Sequence, residues 1–436
     1  MKAAVLRVAR SSFTLWAAFV LAHLWLGLLN LYGPGYPMGD VTSVYKFWVD
    51  QLVVNDFQVG IDSQWVYPIV AFVPMLAALV FGSTLYASTW LSIVMLLNVT
   101  AFGTLTGWGR RRDRNAAAWW WVAFLFLLGP IALGRIDSMT VPLAMVGMLL
   151  LTRHPRIAAL ILAVATWIKV WPAALIAAIV IASRDRIRVV LTGAAASAII
   201  VLVCLALGSG SNVVSFITQQ TGRGLQVEAP VTSIWLWMVR TGVPETYVYF
   251  DHAILTYQVA GPGTETAAAL MNPLLIIAAL TVCGFGLLAV RRGAASLQLL
   301  PSLALALVTA FIVFNKVGSP QFESWLAVPI VFGLVMARQG GRSFRVPAVL
   351  VLAIAALTQA IYPYLYNYVL SVNYVMLIVL TSRNLLLIVL FAWAMTEIIR
   401  LYRGTAHAQV HEAGAVPTSW PLGRRRDDAQ QENQLS

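Results

Sequence analysis

The 436-residue chain is 60% hydrophobic and only 11% charged, with a mean hydropathy of +0.80 and a formal net charge of +12. Several apolar runs approach the ~20 residues that cross a bilayer as a helix, which excludes a water-soluble domain, and they lack the apolar/polar alternation of an outer-membrane barrel. The basic residues sit in short loops between apolar runs, so the charge reads as topological and not as a nucleic-acid surface.

In chain order, 11–32 is a first span, preceded by Lys2, Arg7 and Arg10. It lacks a convincing small-residue cleavage site and reads as a retained helix with a cytoplasmic N-terminus; His23 within it reads as a packed core residue. The next stretch, 36–68, holds four aspartates, Asp40, Asp50, Asp56 and Asp62, and is then extracytoplasmic. The apolar segment 69–81 is too short to cross, and as a juxtamembrane helix it lets 86–105 return to a cytoplasmic cluster of Arg110, Arg111, Arg112 and Arg114. Spans are expected over 117–133, 139–151, 157–167, 172–182, 189–207, 274–290, 297–314, 326–336, 346–365 and 374–398, twelve crossings in all with both ends inside. The short ones imply broken helices packed within a bundle. Cys204 and Cys283 fall in apolar runs and read as packing residues. The stretch 404–436 is polar and reads as a disordered cytoplasmic tail.

In this topology most Lys and Arg residues fall inside; Lys46, Arg135, Lys169, Arg223, Arg240 and Lys316 fall outside, and Arg383 lies within the last span. Arg135, Lys169 and Lys316 each sit at the outer end of a span. A cation at membrane depth costs on the order of 2.5–3.5 kcal/mol, so an anionic partner is expected: a lipid phosphate, or an intramolecular pair such as Arg135 with Asp137. The large outer loop, 208–272, contains QQTGRGLQVEAPVTSIWLW, in which Gln219, Gln220, Arg223, Gln226, Glu228, Ser233, Trp235 and Trp237 form the set of amides, carboxylate and aromatic rings that suits sugars. An aromatic belt at the membrane interface would also explain the tryptophans. No metal-ligand spacing, P-loop or dinucleotide fingerprint occurs. A secondary transporter or a flippase of cell-envelope lipids is the alternative on residues alone, but a transporter places its ionisable groups near the midplane in two equivalent halves, whereas charge here collects on one face.

A first span, an outer loop with an early aspartate and a Tyr-Pro leading into a short juxtamembrane helix together resemble the GT-C superfamily of polyprenyl-phosphate-sugar glycosyltransferases. GDVTSVY (39–45), QWVYP (64–68), IKVWP (168–172), GRGLQVEA (222–229) and NKVGSPQ (315–321) are similar to glycosyltransferase family 87, a group of polyprenol-phosphate-mannose-dependent α-(1→2)-mannosyltransferases. The resemblance implies an all-α polytopic GT-C fold over 1–403, with outer loops at 33–85 and 208–272 that carry juxtamembrane helices, in the plasma membrane with an extracytoplasmic active site. It implies Asp40 as the general base, and Lys169, Lys316, Arg135 and Arg383 as candidates to balance the leaving phosphate. Glu228, Gln226, Arg223, Trp235, Gln321 and Tyr67 are the candidates for acceptor or sugar contacts; Asp50, Asp56 and Asp62 read as surroundings. The implied partners are a polyprenyl-phosphate-mannose donor, a mannosylated glycolipid acceptor of phosphatidylinositol mannoside or lipomannan type, and membrane lipids. No metal, cofactor or nucleic acid is expected.

Overall fold

The computed structural model describes residues 11–219 and 222–414, with the backbone alone over 405–414. Lys2, Arg7, Arg10, Gln220 and most of the expected tail, 415–436, lie outside the described residues. The long helices are α1 (Ser12–Tyr32), α2 (Lys46–Asn55), α3 (Tyr86–Thr106), α4 (Asn115–Leu128), α5 (Asp137–Leu150), α6 (Pro155–Ile168), α7 (Ala173–Ala182) and α8 (Arg186–Ala206). They continue as α9 (Ser233–Arg240), α10 (Thr264–Arg291), α11 (Ser296–Val313), α12 (Ala327–Ala337), α13 (Arg345–Gln359) and α14 (Tyr374–Gly414).

Among the described residues, nine helices are long and apolar enough to cross a membrane, and α5, α6 and α7 are shorter apolar helices. These twelve segments fall where the twelve apolar runs were read; length and composition support crossing for the nine. The apolar stretch after Pro68 forms only a 3-10 turn, Ile69–Ala71, and a short helix, Phe72–Ala77, so it does not span. Two boundaries move. Helix α10 begins at Thr264, inside the stretch read as loop, because TETAAALM is Ala-rich and favours helix. Helix α14 continues past Ile398 to Gly414.

Packing separates the helices into layers. The central α11 has 78% of its apolar window buried and packs on α7, α10, α12 and α14, while α8 and α10 bury only 17% and carry exposed apolar faces suited to lipid. One large core joins α1 through α7 with α11 to α14. A second, smaller core lies under the 208–263 region and includes Leu225, Val227, Trp235, Leu236 and Val259 with Met376 and Leu380 of α14.

That second core holds the one departure from an all-helical chain among the described residues, an antiparallel hairpin of β1 (Tyr247–Asp251) and β2 (Thr256–Ala260). YVYFD and TYQVA are rich in aromatic and β-branched residues, which suits a half-buried pair of strands. Segment 225–227 runs alongside β2: the Val259 amide donates to the Leu225 carbonyl at 3.0 Å and the Val227 amide to the Tyr257 carbonyl at 3.1 Å.

The loops are fastened to one another. Asn212 Nδ2 donates to the Ile61 carbonyl at 2.8 Å, and Ser215 Oγ accepts from the Trp65 amide at 2.9 Å, so the second loop docks on the first. The Gln226 amide donates to the Lys316 carbonyl at 3.0 Å, which ties the second loop to the turn before residue 320. At that crossing Gly318 is required: a Cβ there would lie 2.2 Å from the Ala229 nitrogen and 2.4 Å from the Glu228 carbonyl carbon. Gly318→Ala is expected to destabilise by about 1–3 kcal/mol, because two backbones must separate; an unfolding temperature in detergent equal to that of the parent would show that the loops do not meet this closely.

Candidate active site

The region starts from Gly35, whose left-handed φ of +82° and contact with Pro363 leave no room for a side chain. The chain then turns through Tyr36 into a π-helical turn, Asp40–Tyr45, with Asp40 at its first position. Wide turns of this kind displace a side chain from ordinary helical register and recur at functional sites. The Asp40 carboxylate is 41% exposed, and its Oδ2 lies 3.1 Å from Nε of the buried Arg135. The rest of that guanidinium is saturated by protein: Nη1 donates to the Pro37 carbonyl and, at 2.9 Å, to the Gly134 carbonyl, and Nη2 donates to Tyr362 Oη at 2.7 Å. Arg135 therefore orients Asp40 from behind while the carboxylate stays open in front.

Below Asp40 the turn buries Tyr45, whose hydroxyl accepts from the Ile136 amide at 3.3 Å. Its ring opens a chain of aromatic contacts: Tyr45 to Tyr67 at 6.2 Å, Trp48 to Tyr67 at 5.9 Å and Trp65 to Tyr67 at 5.5 Å between centroids. Tyr67 is the link to the cations, since Lys169 Nζ lies 4.9 Å from its ring centre. Lys169 also pairs with Asp137 Oδ2 at 3.3 Å, and the other oxygen of Asp137 accepts from Trp325 Nε1 at 2.6 Å. Burial disfavours the Lys169 ammonium, but Asp137 and Tyr67 together more than offset it and the pKa is raised. The adjacent-residue pair of Arg135 with Asp137 does not form; each takes a partner from elsewhere, Asp40 and Lys169.

Arg223 and Lys316 complete a basic cluster. Burial and then the nearby Arg223 charge hold the Lys316 ammonium below its ordinary range, and burial lowers Arg223 as well. Arg223 Nε is buried without a hydrogen-bond partner among the described residues. Arg223 also opposes the Lys169 charge, and an anion held among the three would offset that repulsion.

A third group lies on the GRGLQVEA segment. Glu228 is buried, its Oε2 accepting from Gln226 Nε2 and from Tyr366 Oη, each at 3.2 Å. Gln226 Oε1 accepts in turn from the Gly318 amide at 3.2 Å. Burial pushes the Glu228 carboxyl up to about 7, against the opposing pull of Arg383 and the Tyr366 hydrogen bond. Arg383 of α14 donates to Glu323 Oε1 and to the Glu228 carbonyl, both at 2.6 Å.

Among the residues singled out in the sequence, the structure thus brings Tyr67, Lys169, Arg223 and Lys316 into one electrostatic neighbourhood and sets Asp40 with Arg135 beside it. Arg383 is fully buried and committed to protein acceptors. Trp235 is buried in the second core with its Nε1 bonded to the Pro262 carbonyl at 2.9 Å, and Gln321 is buried at the start of the 3-10 turn Pro320–Leu326. Of the other loop aspartates, Asp50 pairs with Lys46 at 2.5 Å, Asp62 Oδ2 accepts from the Gln58 amide at 2.6 Å, and Asp56 ends α2 in a left-handed conformation. Residues with no prominent sequence signal prove central: Tyr45, Glu323, Tyr362 and Tyr366. Asp137, expected only as a partner for Arg135, serves Lys169 instead.

Beside this region, an apolar cavity of about 790 Å³ opens between the 69–80 segment and α8. Ile69, Phe72, Leu76, Ile199 and Val203 line it. Ile69 of its wall packs in one cluster with Val70 and Trp167, neighbours in the chain of Tyr67 and Lys169, so one end of the cavity lies toward the cations.

Residues 65–241 match the model of glycosyltransferase family 87. The matched stretch carries Tyr67, Arg135, Lys169, Arg223 and Glu228, and it points to glycosyl transfer. The chain matches no curated protein and no solved structure.

Two outcomes follow. Removing the Lys169 ammonium leaves the Asp137 carboxylate, 1% exposed, buried without its charge partner, so Lys169→Met is expected to cost about 3–5 kcal/mol. The double variant Lys169→Met/Asp137→Asn should recover most of that loss in detergent unfolding, because neither charge is then left alone. For Glu228, a carboxyl raised from 4.5 to about 7 binds more protons folded than unfolded. Its contribution to stability is complete below pH 4.5 and is lost as pH rises toward 7, amounting to about 3 kcal/mol. The unfolding temperature should fall across that window, and Glu228→Gln should flatten the fall.

Proposed function

We propose that the chain transfers mannose from polyprenyl-phosphate-mannose to a mannosylated glycolipid acceptor, of phosphatidylinositol mannoside or lipomannan type, at the extracytoplasmic face of the plasma membrane. The observation that carries the reading is the juxtaposition of one open carboxylate, Asp40, with a partly buried cluster of cations next to an apolar cavity. The similarity of residues 65–241 to glycosyltransferase family 87 supports the transfer of a sugar. Mannose, the lipid phosphate carrier and the α-(1→2) linkage come from the resemblance of the motifs.

In this mechanism the donor's isoprenoid chain lies in the cavity lined by Phe72 and Val203, which places its phosphate near Lys169, Arg223 and Lys316. Asp40 takes the proton of the acceptor hydroxyl as that oxygen attacks the anomeric carbon, and Arg135 and Tyr362 hold the base in position. The bond to the phosphate breaks on the opposite side, and the developing charge is stabilised by cations already in place. Direct displacement inverts the anomeric centre, so a β-linked donor gives an α-linked product. The leaving group brings its own phosphate, and the proposal needs neither metal nor cofactor. Both termini are placed in the cytoplasm by the distribution of basic loops.

Asp40→Asn is expected to lower transfer from radiolabelled polyprenyl-phosphate-mannose to mixed mannolipids by about 10²–10⁴-fold. The substitution also takes the charge partner from the buried Arg135, so the unfolding temperature should fall, and transfer is compared at a temperature where both proteins stay folded. Activity near the parent level would remove Asp40 from the reaction.

A further inference from the structure

The 247–260 hairpin has two different faces. Its register pairs Tyr247 with Ala260, Tyr249 with Gln258 and Asp251 with Thr256 on one side, and Val248 with Val259 and Phe250 with Tyr257 on the other. Val248, Tyr257 and Val259 pack into the second core, which accounts for the second face. The first face has no such role: Tyr247 is 55% exposed and Tyr249 37% exposed.

That face is ordered nonetheless. The two tyrosine rings lie 5.9 Å apart at 57°, a shallow angled surface. Tyr249 Oη donates to Gln258 Oε1 at 3.4 Å, and Gln258 Nε2 donates to Asp251 Oδ2 at 3.2 Å. Gln258 is itself 2% exposed, so a buried amide fixes a phenol on one side and a carboxylate on the other. Gly224 makes room for it, since a Cβ there would meet Gln258 Oε1 at 2.0 Å. The face is also continuous with the candidate active site, because Gln226 forms a β-bridge with Gln258 and the same strand-like segment leads directly to Glu228.

We propose that the face bearing Tyr247, Tyr249, Asp251 and Gln258 is a glycan subsite, which holds sugar units of an acceptor beyond the one that receives the new residue. The assignment rests on the glycosyl-transfer reading above for its role, and on the chemistry of the face for its ligand. Exposed aromatic rings stack on the C–H face of a pyranose, and the fixed carboxylate and phenol oxygen accept from its hydroxyls. A belt residue dipping into lipid would also be aromatic, but a carboxylate fixed between the strands is costly to place in an apolar phase. Two tyrosines with an aspartate therefore fit a hydrated polyol better than an acyl surface.

The test uses the full chain in lipid nanodiscs with two readouts. On an array of manno-, gluco-, galacto- and arabino-oligosaccharides, the parent should bind at least one series. The variant Tyr247→Ala/Tyr249→Ala should bind that series about tenfold more weakly, and Tyr247→Phe/Tyr249→Phe, which keeps the rings, should retain most of the binding. In the transfer assay the alanine variant should raise KM for a lipid acceptor bearing several sugars by a similar factor, with kcat and the KM for a single-sugar acceptor unchanged. No binding by the parent to any glycan, or equal binding by the alanine variant, overturns the subsite. So does a loss by the alanine variant of association with glycan-free phosphatidylglycerol vesicles in place of glycan binding, which would make the face a membrane contact. A parent that binds glycan through these tyrosines yet transfers no sugar would instead overturn the transferase reading and leave the subsite standing.

Discussion

Arg135 is the point on which the candidate site depends. One guanidinium, buried at the end of an apolar helix, engages the first loop through Asp40 and Pro37, its own turn through Gly134, and the end of α13 through Tyr362. A cation in that setting is tolerated only when its donors are satisfied, so the segments that satisfy it are drawn together. The position of Asp40 is thus a consequence of charge neutralisation: the carboxylate is held where Arg135 needs it, and its open side is what remains for chemistry. The same logic recurs at Lys169 with Asp137 and at Arg383 with Glu323, and each pair joins elements far apart in sequence.

Composition and the spacing of apolar runs revealed most of the helical architecture, because a lipid environment permits few alternatives for the backbone. The helix positions, the short juxtamembrane segment after Pro68 and the placing of Lys169 and Lys316 at outer span ends could be read from hydropathy and charge, whereas Arg223, expected among the sugar contacts, lies with those two cations. Pairing could not. Arg135 and Asp137 are two residues apart and invite each other, yet Asp137 is the first residue of α5 and is directed to Lys169 and Trp325, while Arg135 sits in the preceding turn and meets Asp40. Neighbours in sequence diverge when a helix begins between them. Arg383 had a visible signal, a lone charge within an apolar run, which calls for a buried partner; Glu323 supplies it.

The hairpin escaped notice for a different reason. Five-residue strands leave little periodicity to detect, and the tyrosines of YVYFD are equally at home in an interfacial belt. Only the register, which puts Tyr247, Tyr249 and Asp251 on one face and the apolar residues on the other, separates the two meanings. Tyr362 and Tyr366 are similar cases. As letters they are aromatic residues near a span end; in the fold their hydroxyls bond Arg135 and Glu228, and their rings meet at 5.5 Å.

The cations also differ in what they leave available. Arg135 is saturated by protein acceptors, and Arg383 is held by Glu323 and the Glu228 carbonyl although its Nε lacks a partner among the described residues, so a ligand phosphate would have to displace those bonds. Arg223 keeps a buried Nε without a partner among the described residues, Lys169 has one carboxylate at 3.3 Å and aromatic faces around it, and Lys316 is held below its ordinary range by burial and by Arg223. The donor arrives as a phosphodiester with one negative charge and leaves as a phosphate monoester with a second, so the demand on these cations rises as the bond breaks. Arg223 opposes the charges of both Lys316 and Lys169, and an anion held among them offsets that opposition. The division of labour between structural arginines and a repelling basic cluster is therefore what lets the same end of the bundle be both rigid around Asp40 and responsive to a leaving group.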